Sequence, residues 1–203
     1  PGEVGSVQTI CYNSVPTALN QIRPPTGGDG VYSFQWQLST DNVSWTDIPG
    51  AVFQSYSPGA LKSSRWYRRN VTSKSCGQIS SAPVRITVID ELVPGVIGSD
   101  QVICYNSRPA GLTQLSPVSG GTGSYTFQWQ ISNNGTNWTN ILGATQSSYA
   151  PSSMNSSAYF RRSVSSGNCS NVSNTVLVSV NPDLMPGSVG SPQTICYNTI
   201  PAQ

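Results

Sequence analysis

The 203-residue chain carries 10 Lys and Arg against 8 Asp and Glu, no histidine, 19 glycines and 15 prolines, and only 9% of its residues are charged. A net charge of +2, with arginines scattered between distant segments, offers no basic stripe for nucleic acid and no polybasic membrane patch. No apolar run approaches the ~20 residues of a membrane helix, and without histidine there is no Ser-His-Asp or Cys-His pair and no imidazole metal ligand.

In chain order, the first element to recur is "ICYN", at Ile10–Asn13, Ile103–Asn106 and Ile195–Asn198. Cys11 to Cys104 is 93 residues and Cys104 to Cys196 is 92, the signature of a tandem array. Boundaries fall at the "PG" pairs that begin at Pro1, Pro94 and Pro186, each later pair preceded by a short polar joint, "DELV" or "PDLM". This divides the chain into units 1–93 and 94–185 and the start of a truncated third, 186–203, with few contacts expected across the joints. The chain therefore reads as a window from a longer protein.

Next, Tyr32, Phe34, Trp36 and Leu38 alternate with Ser33, Gln35, Gln37 and Ser39, and Tyr125, Phe127, Trp129 and Ile131 repeat the pattern. A period of two with one apolar face predicts a half-buried strand, with Trp36 and Trp129 in the core. The polar turns "STDNVS" and "SNNGTN" follow, and a short strand opens at Trp45 or Trp138, which makes a hairpin. Further strands are expected at Arg65–Thr72 and Val84–Val88, with counterparts at Ala158–Ser165 and Val176–Val180, and no helix anywhere. Seven or so short strands per unit around a core Trp predict an all-β immunoglobulin-like sandwich, repeated in tandem as an elongated rod.

The cysteines depart from the antibody pattern. One lies 25 residues before the core Trp, and the other lies in the turn "SKSCGQ" or "SGNCSN" between the last two strands. If the first strand enters at the end where that last hairpin turns, each unit holds one disulfide, Cys11 with Cys76 and Cys104 with Cys169. Cys196 is then left unpaired by the truncation. The competing frame, Cys76 with Cys104 and Cys169 with Cys196, requires the last strand to run roughly 26 Å away and fold back. Either frame implies an oxidising compartment.

Two kinds of surface residue attract a functional reading. Trp45 and Trp138 follow an exposed hairpin, where an indole can stack on a sugar or simply cap the sandwich edge. Arg68, Arg69 and Arg161, Arg162 lie on strands, so each pair sends one guanidinium to each face. One is expected over apolar residues with its head at the rim, the other beside Gln35 and Gln37 or Gln128 and Gln130. No carboxylate recurs at an equivalent place in the first 80 aligned positions, which argues against a glycosidase pair shared by the units. Asp41 has no acidic counterpart, which argues against a calcium site. No enzymatic activity, cofactor or metal is expected.

The motifs "PG.(V/I)GS.Q.ICYNS.P..L", "GG.G.Y.FQWQ.S......W" and "YRR.V.S..C" resemble the repeats of SprB-type gliding-motility adhesins of Bacteroidetes, over essentially the whole chain. The resemblance implies an extracellular array at the bacterial cell surface, exported by type IX secretion and moved by the gliding machinery over a substratum it grips. Its partners would be neighbouring repeats and the substratum or a surface polysaccharide, with no nucleic acid and no membrane insertion in this segment. Two alternatives stand beside that role: a glycan-binding module, or spacer domains of another exported protein.

Overall fold

The alternation that marks the central strand works because a Trp is too large to be left on a wet face once a second layer is available to cover it. In the computed structural model, which describes residues 1–74 and 76–202, Trp36 and Trp129 are both fully buried. Ser75, in the first of the two predicted cysteine-bearing turns, and Gln203, at the end of the third segment, lie outside the described residues.

The first unit contains β1 (Glu3–Val4), β2 (Gln8–Ile10), β3 (Gln21–Arg23), β4 (Tyr32–Ser39), β5 (Thr46–Asp47), β6 (Arg65–Ser73), β7 (Gly77–Ser80) and β8 (Val84–Val88). One sheet runs β2-β8-β6-β4-β5, with β2 parallel to β8 and the other pairs antiparallel. The opposing layer is thinner. It consists of β1 against β3 and the bridges Ser14↔Leu61 and Leu19↔Tyr56. The N-terminal segment therefore joins one layer through β1 and crosses to the other through β2, as immunoglobulin-like sandwiches do.

Along β6, β7 and β8 are two halves of one neighbour. Asn70 faces Ser80 and Tyr67 faces Val84, so the partner has one extra residue where Ala82 and Pro83 interrupt the ladder. Between the layers Val4, Leu19, Trp36, Tyr67, Val84 and Ile86 form the core. Burying a Trp indole also requires a partner for its N–H, and Nε1 of Trp36 donates to the Phe53 carbonyl at 2.9 Å.

The chain then continues through β9 (Asp90–Val93), β10 (Val96–Ile97), β11 (Gln101–Ile103), β12 (Gln114–Ser116), β13 (Ser119–Gly121), β14 (Thr126–Ser132), β15 (Thr139–Asn140), β16 (Ala158–Ser166), β17 (Cys169–Val172) and β18 (Val176–Val180). The second unit repeats the first sheet as β11-β18-β16-β14-β15, again with β17 on β16. Its register is the same: Trp129 faces Arg162 where Trp36 faces Arg69. Both units are all-β, and no helix occurs among the described residues.

"ICYN" recurs because it is a local turn. Asn13, Asn106 and Asn198 have φ of 58°, 57° and 60°, a left-handed conformation that Asn tolerates better than most residues. In each copy the amide three residues after the cysteine returns to its carbonyl at 3.1 Å. The third copy closes the same turn with no sandwich around it.

Candidate functional site

The exposed face of the main sheet places Trp45 beside Arg68. The guanidinium lies 4.3 Å from the ring centroid, its Nε donates to Gln37 Oε1 at 2.7 Å, and Gln37 Nε2 donates to Asp47 Oδ1 at 2.7 Å. The second unit repeats the ladder with Asn140 for Asp47: Arg161 is 4.2 Å from the Trp138 centroid and 2.7 Å from Gln130, which reaches Asn140 at 2.8 Å. Each indole thus already has a cation over one face, and the glutamines spend both ends of their amides on neighbours. Gln35 and Gln128 are used differently, each donating to two backbone carbonyls at 2.8–2.9 Å.

The other arginine of each pair goes further inward than a rim position. Arg69 and Arg162 are fully buried, 4.5 Å from the Phe34 centroid and 4.7 Å from that of Phe127. Arg69 Nη1 donates to Gln54 O at 2.6 Å and Gln21 Oε1 at 2.9 Å. Arg162 donates to Ser147 O at 2.6 Å and Pro94 O at 3.0 Å. Carbonyl dipoles replace a carboxylate here, and burial lowers both guanidinium pKa values.

Asp41 is a turn residue. Its carboxylate accepts from the amides of Val43 and Ser44 at 2.8 Å and from the Ser39 hydroxyl at 2.9 Å, and these bonds hold its pKa at about 2. Asn134 fills the same place with a side-chain carbonyl, accepting from the amides of Thr136 and Asn137 at 3.0 and 2.9 Å. An Asn suffices because the job is to cap amides. Among the described residues, no group of three or more His, Cys, Asp or Glu could hold a metal ion.

The most elaborate construction in the molecule is the joint, where few contacts were expected. "DELV" is β9, paired antiparallel with β13 of the second unit through Val93↔Ser119 and Asp90↔Gly121. Leu92 is only 6% exposed, and its carbonyl accepts from Asn171 Nδ2 at 2.9 Å. Gly120 and Gly121 form the floor, at φ 73° and 61°. A Cβ on Gly120 would overlap the Glu91 carbonyl, and one on Gly121 would meet Leu92 Cδ1 at 3.4 Å and Ser166 Oγ at 2.5 Å.

Across this joint runs the disulfide, Cys11 to Cys169, with Cα atoms 5.5 Å apart. It replaces the expected Cys11–Cys76 and Cys104–Cys169 bridges and also the competing pairs of neighbours. The expectation failed on strand direction. Because β2 is parallel to β8, and Ile89 N donates to Ile10 O at 2.8 Å, Cys11 emerges where the last strand exits. The β6–β7 turn that holds Cys76 is at the other end, about 35 Å away along roughly 11 residues of strand. What lies next to Cys11 is the following unit, whose β17 begins at Cys169 just after its turn from β16. Cys104 and Cys196 are exposed thiols, and Cys76 is exposed in its turn.

The residues that build this joint had a trace in the sequence. "GG" stands at Gly27–Gly28 and at Gly120–Gly121, and a leucine two residues before "PG" stands at Leu92 and Leu184.

A family model described as a domain of unknown function (DUF8696) matches twice, over residues 1–90 and 93–182. No curated protein matches the chain. Among solved structures, the insect immune protein hemolin is similar over 89% of this chain and 46% of its own, at 13% identity and a TM-score of 0.46. Murine CEACAM1b is similar over 88% of this chain and 99% of its own, at 10% identity and a TM-score of 0.40. Extracellular domains 3–5 of Drosophila OTK match 88% of this chain at 15% identity and a TM-score of 0.33, and the chain spans 64% of that structure.

Proposed function

The chain belongs to the DUF8696 family, with two copies of its domain end to end, and we propose that it is a load-bearing repeat segment of a cell-surface adhesin, one that extends an adhesive tip and carries tension to the cell. The observation that supports this most is the joint: two sandwiches held by strand pairing, a buried leucine and a disulfide that spans 158 residues. A disulfide belongs to an oxidising, extracellular setting. In the finer form of this reading the array serves bacterial gliding: type IX secretion exports it, the gliding machinery moves it, and it grips a substratum or its polysaccharide coat.

The glycan-binding alternative places recognition on Trp45 and Trp138. The guanidinium over each ring favours a structural role for both, and the spacer reading stands ahead of it.

Force spectroscopy on the chain held by its two ends tests the load-bearing role. With Cys11 bridged to Cys169, only residues outside that loop can lengthen, about 45 residues or roughly 150 Å at full extension, against about 700 Å for the reduced chain. An oxidised chain that unravels as far as the reduced one overturns the proposal. Polysaccharide binding that is lost on Trp45→Ala plus Trp138→Ala would move the function to the sheet face.

A further inference from the structure

The two outer ends of this chain carry the same residues as the two sides of the joint at its middle. At the start of the first unit, Gly27 and Gly28 occupy the places of Gly120 and Gly121, with φ of 84° and 67°. A Cβ on Gly27 would meet nothing within 4 Å, whereas the same atom on Gly120 would overlap the joint strand. Residues 26–28 form no strand, although their counterparts are β13. Beside them lies an open groove of about 290 Å³ lined by Gly27, Gly28, Tyr32, Val71, Cys76 and Ile79. At the far end of the second unit, Leu184 stands where Leu92 would, yet it is 90% exposed against 6%. Cys104 follows β11, with Asn181 N bonded to Ile103 O at 2.9 Å, as Cys11 follows β2.

We infer that the groove at Gly27–Ile79 is a docking site for the joint segment of another copy of this repeat. A residue equivalent to Leu184 fills it, and a cysteine equivalent to Cys104 bridges to Cys76. The occupant is another copy because the seated β9, with its leucine, its paired backbone and its disulfide, already shows that interface once in the same chain. Formation of each bridge releases two protons and two electrons from two thiols to a disulfide oxidant such as oxidised glutathione. This inference concerns how units join and holds whatever surface the array grips.

It has a mechanical consequence. Successive bridges overlap, because Cys169 precedes Cys196 by 27 residues. Every two units, about 185 residues that would extend to roughly 650 Å unbridged, then contribute a covalent path of about 27 residues, or roughly 95 Å. Such an array stays short even when its sandwiches unfold.

The test is a longer chain in which residue 203 is followed directly by residues 19–203, which completes the third unit and adds a fourth. Refolded in a glutathione redox buffer and mapped without reduction, it should show three bridges: Cys11 to Cys169, Cys104 to the second copy's Cys76, and Cys196 to the second copy's Cys169. Cys104 found alkylated, or bridged to any other cysteine, overturns the inference. Leu184→Asp should slow the Cys104 bridge about tenfold, because docking sets the effective concentration of the two thiols, and should leave the Cys11–Cys169 rate unchanged. Gly27→Asn in the second copy, which keeps a residue tolerant of positive φ but fills the place of the incoming carbonyl, should do the same. Equal rates in wild type and both variants would show that the thiols meet without the groove, and the inference fails.

Discussion

The beginning of the first unit and the beginning of the second have nearly the same local sequence, "PTGGDG" and "VSGGTG", and different structures. In the second, Ser119–Gly121 is a strand because β9 lies against it, while in the first, residues 26–28 form no strand. A strand is a statement about a neighbour. The glycines are needed in both places, but only the joint shows why, since their missing side chains are where the Glu91 carbonyl and Leu92 sit.

The largest expected effect comes from removing the bridge that distinguishes the joined end. Closing a 158-residue loop is worth about 5 kcal/mol in the chain-entropy model. Cys11→Ser should therefore lower the urea midpoint of the chain markedly, and Cys104→Ser, at an exposed thiol, should not. Equal effects of the two would mean that the joint is no different from the open end.

The core is where the units should agree. Trp36→Ala and Trp129→Ala each empty a fully buried site and should cost about 3–5 kcal/mol, unfolding the unit that carries the change. Tryptophan fluorescence during urea titration would follow each unit, and a silent substitution in either would break the symmetry of the two cores.

A sharper contrast lies in the paired leucines. Leu92→Ala should cost about 2–3 kcal/mol, in the lower part of the range for buried leucines. Leu184→Ala should stay within about 0.5 kcal/mol, as exposed substitutions do. The same denaturation series reads both, and a costly Leu184→Ala would show that the terminal leucine already has a place to go.

The smallest effect separates the hairpins by pH. Asp41 has its pKa lowered from 3.8 to about 2 by the amides of Val43 and Ser44 and then the Ser39 hydroxyl, so the folded form favours the carboxylate. Its stabilisation is present above pH 4 and is lost as pH falls through 2. Asn134 does not titrate. Hydrogen exchange should show the Val43 and Ser44 amides losing protection between pH 4 and pH 2 relative to those of Thr136 and Asn137, and parallel loss in both hairpins would remove the carboxylate from the account.

Much of the fold was legible because its signals are local. Period two placed β4 and β14, the 93-residue spacing gave the repeat, and the core Trp followed from which face was apolar. The face of each arginine was also legible, but the depth of Arg69 and Arg162 was not. A buried guanidinium depends on carbonyls from Gln54 or Ser147, brought there by the opposing layer. Trp45 and Trp138 were legible as edge aromatics, while the cation over each ring needed the register of β6 on β4 and of β16 on β14.

The sequence by itself determined what closes within a few residues. The third "ICYN" shows this best: with no sandwich around it, Asn198 keeps its left-handed turn, and Gln193 exchanges hydrogen bonds with Ala202 at 2.7–2.8 Å, as Gln8 does with Thr17. Tertiary structure alone decided that Cys11 pairs with Cys169 and that Leu92 is buried while Leu184 is not. Spacing along the chain says how far a thiol can travel, but not at which end of a sheet it emerges. That was settled by β2 lying parallel to β8, a pairing between residues about 78 positions apart that no local pattern records.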